Sequence, residues 1–430
     1  MLAGMGVAAG PKLAAAVTNA GGIGVIGGHG YNPEGLRQQI QELKSYLIDK
    51  DAPFGVDLLI PQVGGNARKT NYDYSKGKLM ELIDVIVEMK TRVFVSAIGI
   101  PPKAAVDRLH ANGILYMNMI GHPKHVQKCI DNDVDIVCAQ GGEAGGHTGD
   151  VPFSILIPAV AKLARGQKSK FTGLDVQVVA AGGVSGGESL AAALMLGAAA
   201  VWVGTRFIVA EEAGASKAHQ DAVIGASMDD TIRTIIFSGR PLRVRKTPYI
   251  LNWEEKRQDE IKDLTGRGIL PVVHDAEAHE DDEEIMDNMH PYLMGVVAGL
   301  VNKRSTAREI VDEIVDGAAE RLRAGSISLV ELFKNDDVVV MNVISRKKHV
   351  DFPTLANELP VAYIVRQSSH DQLTEQKIKE YVKGKVAKHK RLEGGVFFMD
   401  SIPKSPTEKI LKGLPREKAR EDVKARRAHL

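Results

Sequence analysis

Seven short and almost wholly apolar runs recur along the first half of the chain, and segments of helical length separate them. The runs are Gly22–Gly27, Phe54–Leu59, Arg92–Ile98, Ile114–Ile120, Val134–Gln140, Val176–Gly183 and Ala199–Thr205. A strand that is apolar at nearly every position is buried on both faces, as it is in a parallel sheet covered by helices. The alternation of such strands with helices therefore predicts an α/β fold built on a parallel sheet.

An eighth strand is indicated by MLAGM (Met1–Met5), which a helical segment follows directly. Eight βα units would close into a TIM-type (β/α)8 barrel, and a doubly wound open sheet is the alternative. In the barrel, Met1–Met5 supplies only part of the first strand, so we expect that strand to be truncated.

The remainder of the chain predicts two further parts. We assign the barrel to 1–240, a helical extension of it to 241–328, a linker to 329–345 and a small α+β domain to 346–430. The acidic run His274–Asp287 contains two histidines among carboxylates, yet we expect a solvated face there and no metal site, because like charges repel and extend.

Composition excludes several classes of partner. The 55 Lys and Arg residues balance the 54 Asp and Glu residues, so no global field attracts nucleic acid or an anionic membrane. The apolar run Leu190–Gly204 is too short to span a bilayer, and no secretory signal opens the chain. Two cysteines, Cys129 and Cys138, cannot form a disulfide framework. We expect a soluble protein of the cytoplasm or of another reducing intracellular compartment, of unassigned oligomeric state.

Glycines follow the last two predicted strands of the barrel. Counted with Met1–Met5 as the first strand, Gly182 and Gly183 end the seventh strand, and Gly204 and Thr205 end the eighth. In TIM barrels the active site lies at the carboxyl ends of the strands, and phosphate groups bind at the loops after strands seven and eight. Backbone N–H groups at these glycines, with the Thr205 hydroxyl, could therefore hold a phosphate. Ordinary turn glycine is the alternative for each loop taken alone.

The loop AQGGEAGGHTGD (Ala139–Asp150) is the candidate catalytic segment. Gln140 ends a strand, so its amide would point into the barrel mouth, and Gly145 and Gly146 precede His147. A histidine titrates near neutrality, so it can abstract a proton from carbon or donate one to an oxyanion. A histidine on a flexible surface loop is the alternative interpretation.

These motifs together resemble the nitronate monooxygenases, formerly called 2-nitropropane dioxygenases, over roughly residues 1–325. The matching stretches are LAGMG, AAAVTNAGGIGVIGG, FGVDLL, AQGGEAGGHTG and VVAAGGVSGGESLAAALMLGAAAVWVGTRF. The resemblance implies a TIM barrel that binds FMN non-covalently and oxidises a small nitro compound with O2. It also implies His147 as the catalytic base, with cofactor contacts at Gly4, Met5, Asp57, Gln140, Gly145, Gly146, Gly182, Gly183, Gly204 and Thr205.

Two positions qualify this comparison. Asp57 stands where many members of the family carry asparagine, and an ionised aspartate cannot donate a hydrogen bond. His122, at the end of the fifth strand counted from Met1, is a further candidate for lining the substrate pocket.

The same motifs also resemble FMN-dependent enoyl-acyl-carrier-protein reductases, which would need a nicotinamide donor and a long acyl channel. A third possibility is a degenerate barrel that acts as a non-catalytic binding module for an acyl-adenylating partner. The sequence leaves these alternatives open.

The segment Glu358–Lys412 resembles the small C-terminal domain of the acyl-CoA synthetases, which belong to the adenylate-forming family. Lys409, in PKSPTEK, matches the lysine that this domain inserts into the adenylation site, but Glu408 replaces the usual glycine. The large domain of that family has no counterpart in the chain. We therefore expect this segment to be inactive by itself, either as a vestigial module or through the joining of two genes.

Overall fold

The seven apolar runs form one parallel sheet in the computed structural model of the chain. That structure describes residues 1–28, 30–278, 289–332, 338–341, 361–365, 374–385 and 395–399. The first ten strands are β1 Gly24–Gly28, β2 Phe54–Leu59, β3 Val93–Ala97, β4 Leu115–Ile120, β5 Ile136–Gln140, β6 Gly146–His147, β7 Gln177–Ala181, β8 Ala200–Trp202, β9 Thr231–Thr234 and β10 Leu242–Arg245. The sheet order is β1-β2-β3-β4-β5-β7-β8, with parallel pairing throughout. Six of these seven strands fall within a predicted run, and β1 extends past the end of its run by one residue, Gly28, so the α/β prediction is confirmed.

The first residues of the chain lie between the two edge strands of this sheet. The Leu2 amide donates to the Ile23 carbonyl oxygen at 2.9 Å, beside β1. On the other side, Leu2 forms a parallel bridge with Val203, and the Ala3 amide donates to the Val203 carbonyl oxygen at 2.9 Å. This segment fills the eighth position with a single bridge and not a full strand, and the TIM-type prediction is confirmed.

Helices cover the outside of the sheet. They are α1 Pro11–Asn19, α2 Pro33–Tyr46, α3 Leu79–Glu88, α4 Lys103–His110, α5 Val126–Asp131, α6 Phe153–Ala164, α7 Gly187–Met195, α8 Thr205–Ile208 and α9 Lys217–Ile224. In α2, Asn32 caps the first turn through its side chain, and Leu36, Ile40 and Leu43 recur at helical spacing on the buried face. Each such buried leucine or isoleucine contributes about 1.5–3 kcal/mol by leaving water.

A second, antiparallel sheet lies beyond the barrel strands, in the order β6-β10-β9. The sequence of residues 229–257 predicts only a loop and short extended pieces, and both β9 and β10 lie within it. The extension that follows is helical, with α10 Pro248–Lys256, α11 Gln258–Arg267, α12 Pro271–Ala278, a 3-10 turn Val296–Leu300 and α13 Ala307–Leu332. Its own apolar cluster centres on the fully buried Trp253.

One member of the acidic run departs from the expected solvated face. Asp275 is 5% exposed, and its carboxylate accepts hydrogen bonds from Arg257, Trp253 and Tyr249. The expectation of solvation is therefore wrong for this residue, because an arginine and two aromatic donors compensate its burial. Residues 279–287 of the run lie outside the described residues.

The chain divides into two compact units, Met1–Arg321 and Leu322–Leu430. In the second unit, β11 Val338–Met341 pairs antiparallel with β12 Val361–Val365, which pairs parallel with β13 Gly395–Met399. The helix α14 Glu375–Lys385 completes the described part, so this unit is of mixed α+β type, as predicted. β11 lies inside the predicted linker, whereas Glu408 and Lys409 lie outside the described residues. None of the helices in the described ranges is long and apolar enough to cross a membrane.

Candidate active site

One large cavity opens at the carboxyl ends of the barrel strands, with a volume of about 1630 Å³. Every residue of the first unit that the sequence singled out for the site lies on its wall. These residues are Gly4, Met5, Asp57, His122, Gln140, Gly145, Gly146, His147, Gly182, Gly183, Gly204 and Thr205. The parallel sheet brings them together, because all its strands end on the same side.

His147 is held by a strand, although the sequence predicted a glycine-rich loop there. Its backbone lies in β6, where it pairs with Leu242 of β10. The Nε2 atom lies 2.9 Å from Ser238 Oγ, and that hydroxyl donates to the Arg240 carbonyl oxygen at 3.3 Å. With the serine proton in this bond, the Ser238 hydroxyl can accept from Nε2–H, and the tautomer that donates this bond has Nδ1 as the basic nitrogen of the neutral ring. Ser238 is a site residue that sequence reasoning missed.

Gln140 joins the end of β5 to the same histidine. The Nε2 amide of Gln140 donates to the His147 carbonyl oxygen at 2.6 Å. This hydrogen bond positions the His147 backbone. The Thr148 hydroxyl donates to the Gly141 carbonyl oxygen at 2.9 Å, and the Arg243 guanidinium donates to the Gly142 carbonyl oxygen at 2.9 Å. These bonds order a loop whose five glycines would otherwise cost much backbone entropy.

The glycines of the cavity wall fall into two groups. Gly146 and Gly183 have φ angles of 70° each, and a Cβ added to either would meet open space or a single atom at 3.8 Å. Gly182 also has a positive φ, but its added Cβ would lie 2.8 Å from the Gly141 carbonyl oxygen. A Cβ on Gly145 would lie 2.6 Å from the Met294 carbonyl carbon. Backbone packing therefore explains Gly145 and Gly182, whereas Gly146 and Gly183 border free volume.

The segment after β8, which contains Gly204 and Thr205, also lines the cavity. The Thr205 hydroxyl accepts a hydrogen bond from the Gly295 amide at 3.0 Å, which leaves its own proton to donate. A Cβ on Gly204 would find only Ala3 and the Met5 sulfur, each at 3.4 Å. Gly183, Gly204 and Thr205 thus present backbone and one hydroxyl to the same cavity.

Asp57 lies on the cavity floor at 5% exposure, and its Oδ1 atom has no hydrogen-bond partner among the described residues. Burial raises the pKa of this carboxyl to about 8. Asp57 is therefore protonated at neutral pH and carries the O–H donor that an ionised aspartate lacks. A Cβ on Gly4 would lie 2.4 Å from Asp57 Oδ2, which explains the glycine there.

His122 lies at the rim, where its Nδ1 accepts from the Lys124 amide at 3.1 Å and caps a 3-10 turn. Its ring meets the His125 ring edge-on at 6.3 Å. Burial, followed by the charge of Lys124, lowers the pKa of His125. Within the described ranges, no cluster of His, Cys, Asp or Glu has the arrangement of a metal site.

The chain is similar to known proteins in sequence and in structure. The sequence model of the nitronate monooxygenase family matches residues 1–317. A protein of Staphylococcus saprophyticus named "Probable nitronate monooxygenase" is 30% identical over 61% of this chain and 79% of its own. A (3aS,4S,5R,7aS)-5-hydroxy-7a-methyl-1-oxo-octahydro-1H-indene-4-carboxyl-CoA dehydrogenase of Rhodococcus jostii is 29% identical over 75% of this chain and 92% of its own.

Among solved structures, FabK from Thermotoga maritima superposes with a TM-score of 0.59 at 27% identity, covering 76% of this chain and 94% of its own. The family model spans well over half of the 430 residues and includes every cavity residue discussed above. The chain is an oxidoreductase that belongs to the nitronate monooxygenase family.

Proposed function

We propose that this chain uses FMN to oxidise nitronates, and the nitroalkanes from which they form, with O2. The observation that carries this proposal is the meeting of His147 with Gly146, Gly183, Gly204 and Thr205 on one cavity wall. A flavin reaction on an acidic carbon needs a base close to that carbon, which the imidazole supplies. It also needs backbone that can approach the cofactor closely, which the glycine-rich wall supplies.

The residues present fit FMN on two structural grounds. Gly146 and Gly183 border volume that any side chain would fill, so backbone can approach a planar ring or a phosphate there. Asp57 offers a buried oxygen with no partner among the described residues, which a polar atom of the ring could satisfy. Gly183, Gly204 and Thr205 would hold the phosphate, whereas Asp57 and Gly146 would face the ring.

The chemistry that FMN supplies in this site is transfer of electrons from the nitronate to oxygen, which yields a carbonyl compound and nitrite. The part of the protein is to deliver a nitronate. His147 Nδ1 is the basic nitrogen, and it takes the α-proton from a nitroalkane that arrives neutral. The Ser238 hydroxyl, which accepts from Nε2–H, keeps the ring in this tautomer and stabilises the imidazolium that forms.

The test is His147→Asn, with His274→Asn as the matched control. His274 lies outside the cavity wall, so its replacement leaves the site unchanged. We expect His147→Asn to lower kcat/KM for a neutral nitroalkane by about 100-fold or more. Turnover of the preformed nitronate should survive, because its α-proton is already gone. Oxygen uptake with both substrate forms measures this, and nitroalkane turnover by His147→Asn at the wild-type rate would refute the assignment.

A second candidate is an FMN-dependent reductase of an enoyl thioester. A cavity of about 1630 Å³ exceeds the usual range of roughly 300–1,000 Å³ for small-ligand pockets. The name of the Rhodococcus relative, a dehydrogenase of a CoA thioester, is compatible with a large substrate. Bleaching of the flavin by NADH or NADPH without oxygen would favour this candidate. A colourless protein that takes up no FMN would instead favour a non-catalytic binding module.

A further inference from the structure

Two arginines from distant parts of the sequence lie side by side on the cavity wall. Arg68 follows β2, and its Nη1 donates to the Gly239 carbonyl oxygen at 3.0 Å. Arg240 follows β9, and its Nε donates to Asn71 Oδ1 at 3.0 Å. Both hydrogen bonds join the loop after β2 to the loop after β9, so each guanidinium is fixed in place. Each bond uses one of five N–H donors.

The positive charges of this pair are not balanced by a carboxylate of the described chain. Among the described residues, neither Arg68 nor Arg240 forms an ion pair with a carboxylate, whereas Arg233 and Arg257 both have acidic partners. Burial and then the charge of Arg68 lower the pKa of Arg240. The Asp73 carboxylate, which lines the same cavity, accepts from the Ser75 and Gly77 amides at 2.8 and 2.7 Å, within its own turn.

The backbone of Arg240 is linked to the candidate base through Ser238. Ser238, which contacts His147 Nε2, donates to the backbone carbonyl of Arg240. Arg68, Arg240 and His147 all line the one cavity, together with Tyr72, which is half exposed. A ligand with its reacting carbon at His147 can therefore extend along the wall to the two guanidinium groups.

We propose that Arg68 and Arg240 bind an anionic group that the substrate carries at the end remote from its reacting carbon. Guanidinium groups pair with carboxylate and phosphate through parallel N–H bonds, and an anion relieves the repulsion within the pair. The group is a carboxylate if the substrate is a small acid, or a phosphate if the substrate is attached to a phosphorylated carrier. The position of the reacting carbon at His147 rests on the proposed function, whereas the anion site does not.

The first experiment measures binding alone. Inorganic pyrophosphate and adenosine 3′,5′-bisphosphate are titrated calorimetrically into the FMN-loaded protein, and succinate serves as the carboxylate probe. We expect Arg240→Met and Arg68→Met each to weaken binding of the preferred probe by about tenfold or more. Arg165→Met, at an exposed position outside the cavity, should bind as the wild type does. The preferred probe identifies the source of the anion.

The second experiment compares two nitroalkanes that differ in charge, 4-nitrobutanoate and 1-nitrobutane. The wild type should favour the anion in kcat/KM, and Arg240→Met and Arg68→Met should each lose this preference. Arg240→Lys keeps the charge without the planar fork and should be intermediate. If the wild type turns over neither compound, the proposed function fails, but the binding experiment still tests the arginine site.

The proposal is overturned if the wild type binds none of the three probes. It is also overturned if the wild type and both methionine variants bind them equally. Circular dichroism establishes that each variant is folded, and the Arg68 variant provides the test if the Arg240 variant does not fold.

Discussion

Asp57 provides the sharpest quantitative test of this structure, through the substitution Asp57→Asn. Its carboxyl is buried on the cavity floor without a partner for Oδ1 among the described residues, and burial raises its pKa to about 8 from an ordinary value of 3.8. Asparagine has nearly the same shape and never ionises. The substitution therefore removes the titration and leaves the packing against Gly4 in place.

The sign of the effect follows from proton linkage. Between the two pKa values the folded chain holds the Asp57 proton and the unfolded chain has lost it, so stability falls as pH rises. The slope is about 1.4 kcal/mol per pH unit, and the whole window amounts to about 6 kcal/mol. The Asp57→Asn variant has no carboxyl to titrate at this position, so it does not lose this stability as pH rises. Its free energy of unfolding relative to the wild type should thus increase by about 3 kcal/mol from about pH 5 to about pH 7.

Urea unfolding of the flavin-free proteins across this pH range measures the difference. Asp73→Asn is the control, because hydrogen bonds from Ser75 and Gly77 lower the pKa of Asp73. Its contribution is lost only as pH falls toward that lowered pKa, so its difference from the wild type should be flat between about pH 5 and pH 7. An Asp57→Asn difference that is also flat over this range would show that Asp57 is ionised in the folded protein, and the argument would fail.

Three further outcomes are expected. Ser238→Ala should lower kcat/KM for a neutral nitroalkane about tenfold in oxygen-uptake assays and leave nitronate turnover unchanged; equal losses on both would contradict a role through His147. Gly182→Ala should destabilise the protein by about 2–4 kcal/mol in thermal unfolding, because it combines a positive φ with a collision at Gly141; a wild-type Tm would contradict this. Gly183→Ala should cost only about 1–2 kcal/mol but weaken FMN binding measured by flavin fluorescence, and unchanged FMN affinity would place the cofactor elsewhere.

The barrel was predictable because its signals are local. A strand such as Phe54–Leu59 is apolar at every position except Asp57, and its bounds in the structure equal the predicted ones. The glycine pairs that end β7 and the Gly204–Thr205 step also follow directly from strand ends. Since parallel strands all end on one side, these positions had to meet at one mouth. The wall of the cavity could therefore be assembled from the sequence before any distance was known.

What the sequence did not reveal are contacts between distant segments. Ser238 lies 91 residues from His147, and Arg240 lies 169 residues from Asn71. Neither pair has a local pattern, because β6 is two residues long and the loop after β2 has no periodicity. The protonation of Asp57 was hidden for a different reason. It depends on burial beneath Gly4 and the barrel mouth, which only the folded chain defines.

This division has a consequence for specificity within the family. The motifs that carry the family resemblance surround the cofactor and the base, and glycine in them serves two separate needs. At Gly145 and Gly182 it permits backbone to pack on backbone, whereas at Gly146 and Gly183 it leaves room for a ligand. Arg68 and Arg240 stand outside those motifs. A change of these two side chains that keeps the Ser238 contact with His147 can alter the anion that the proposed site accepts, so relatives with the same motifs can act on different substrates.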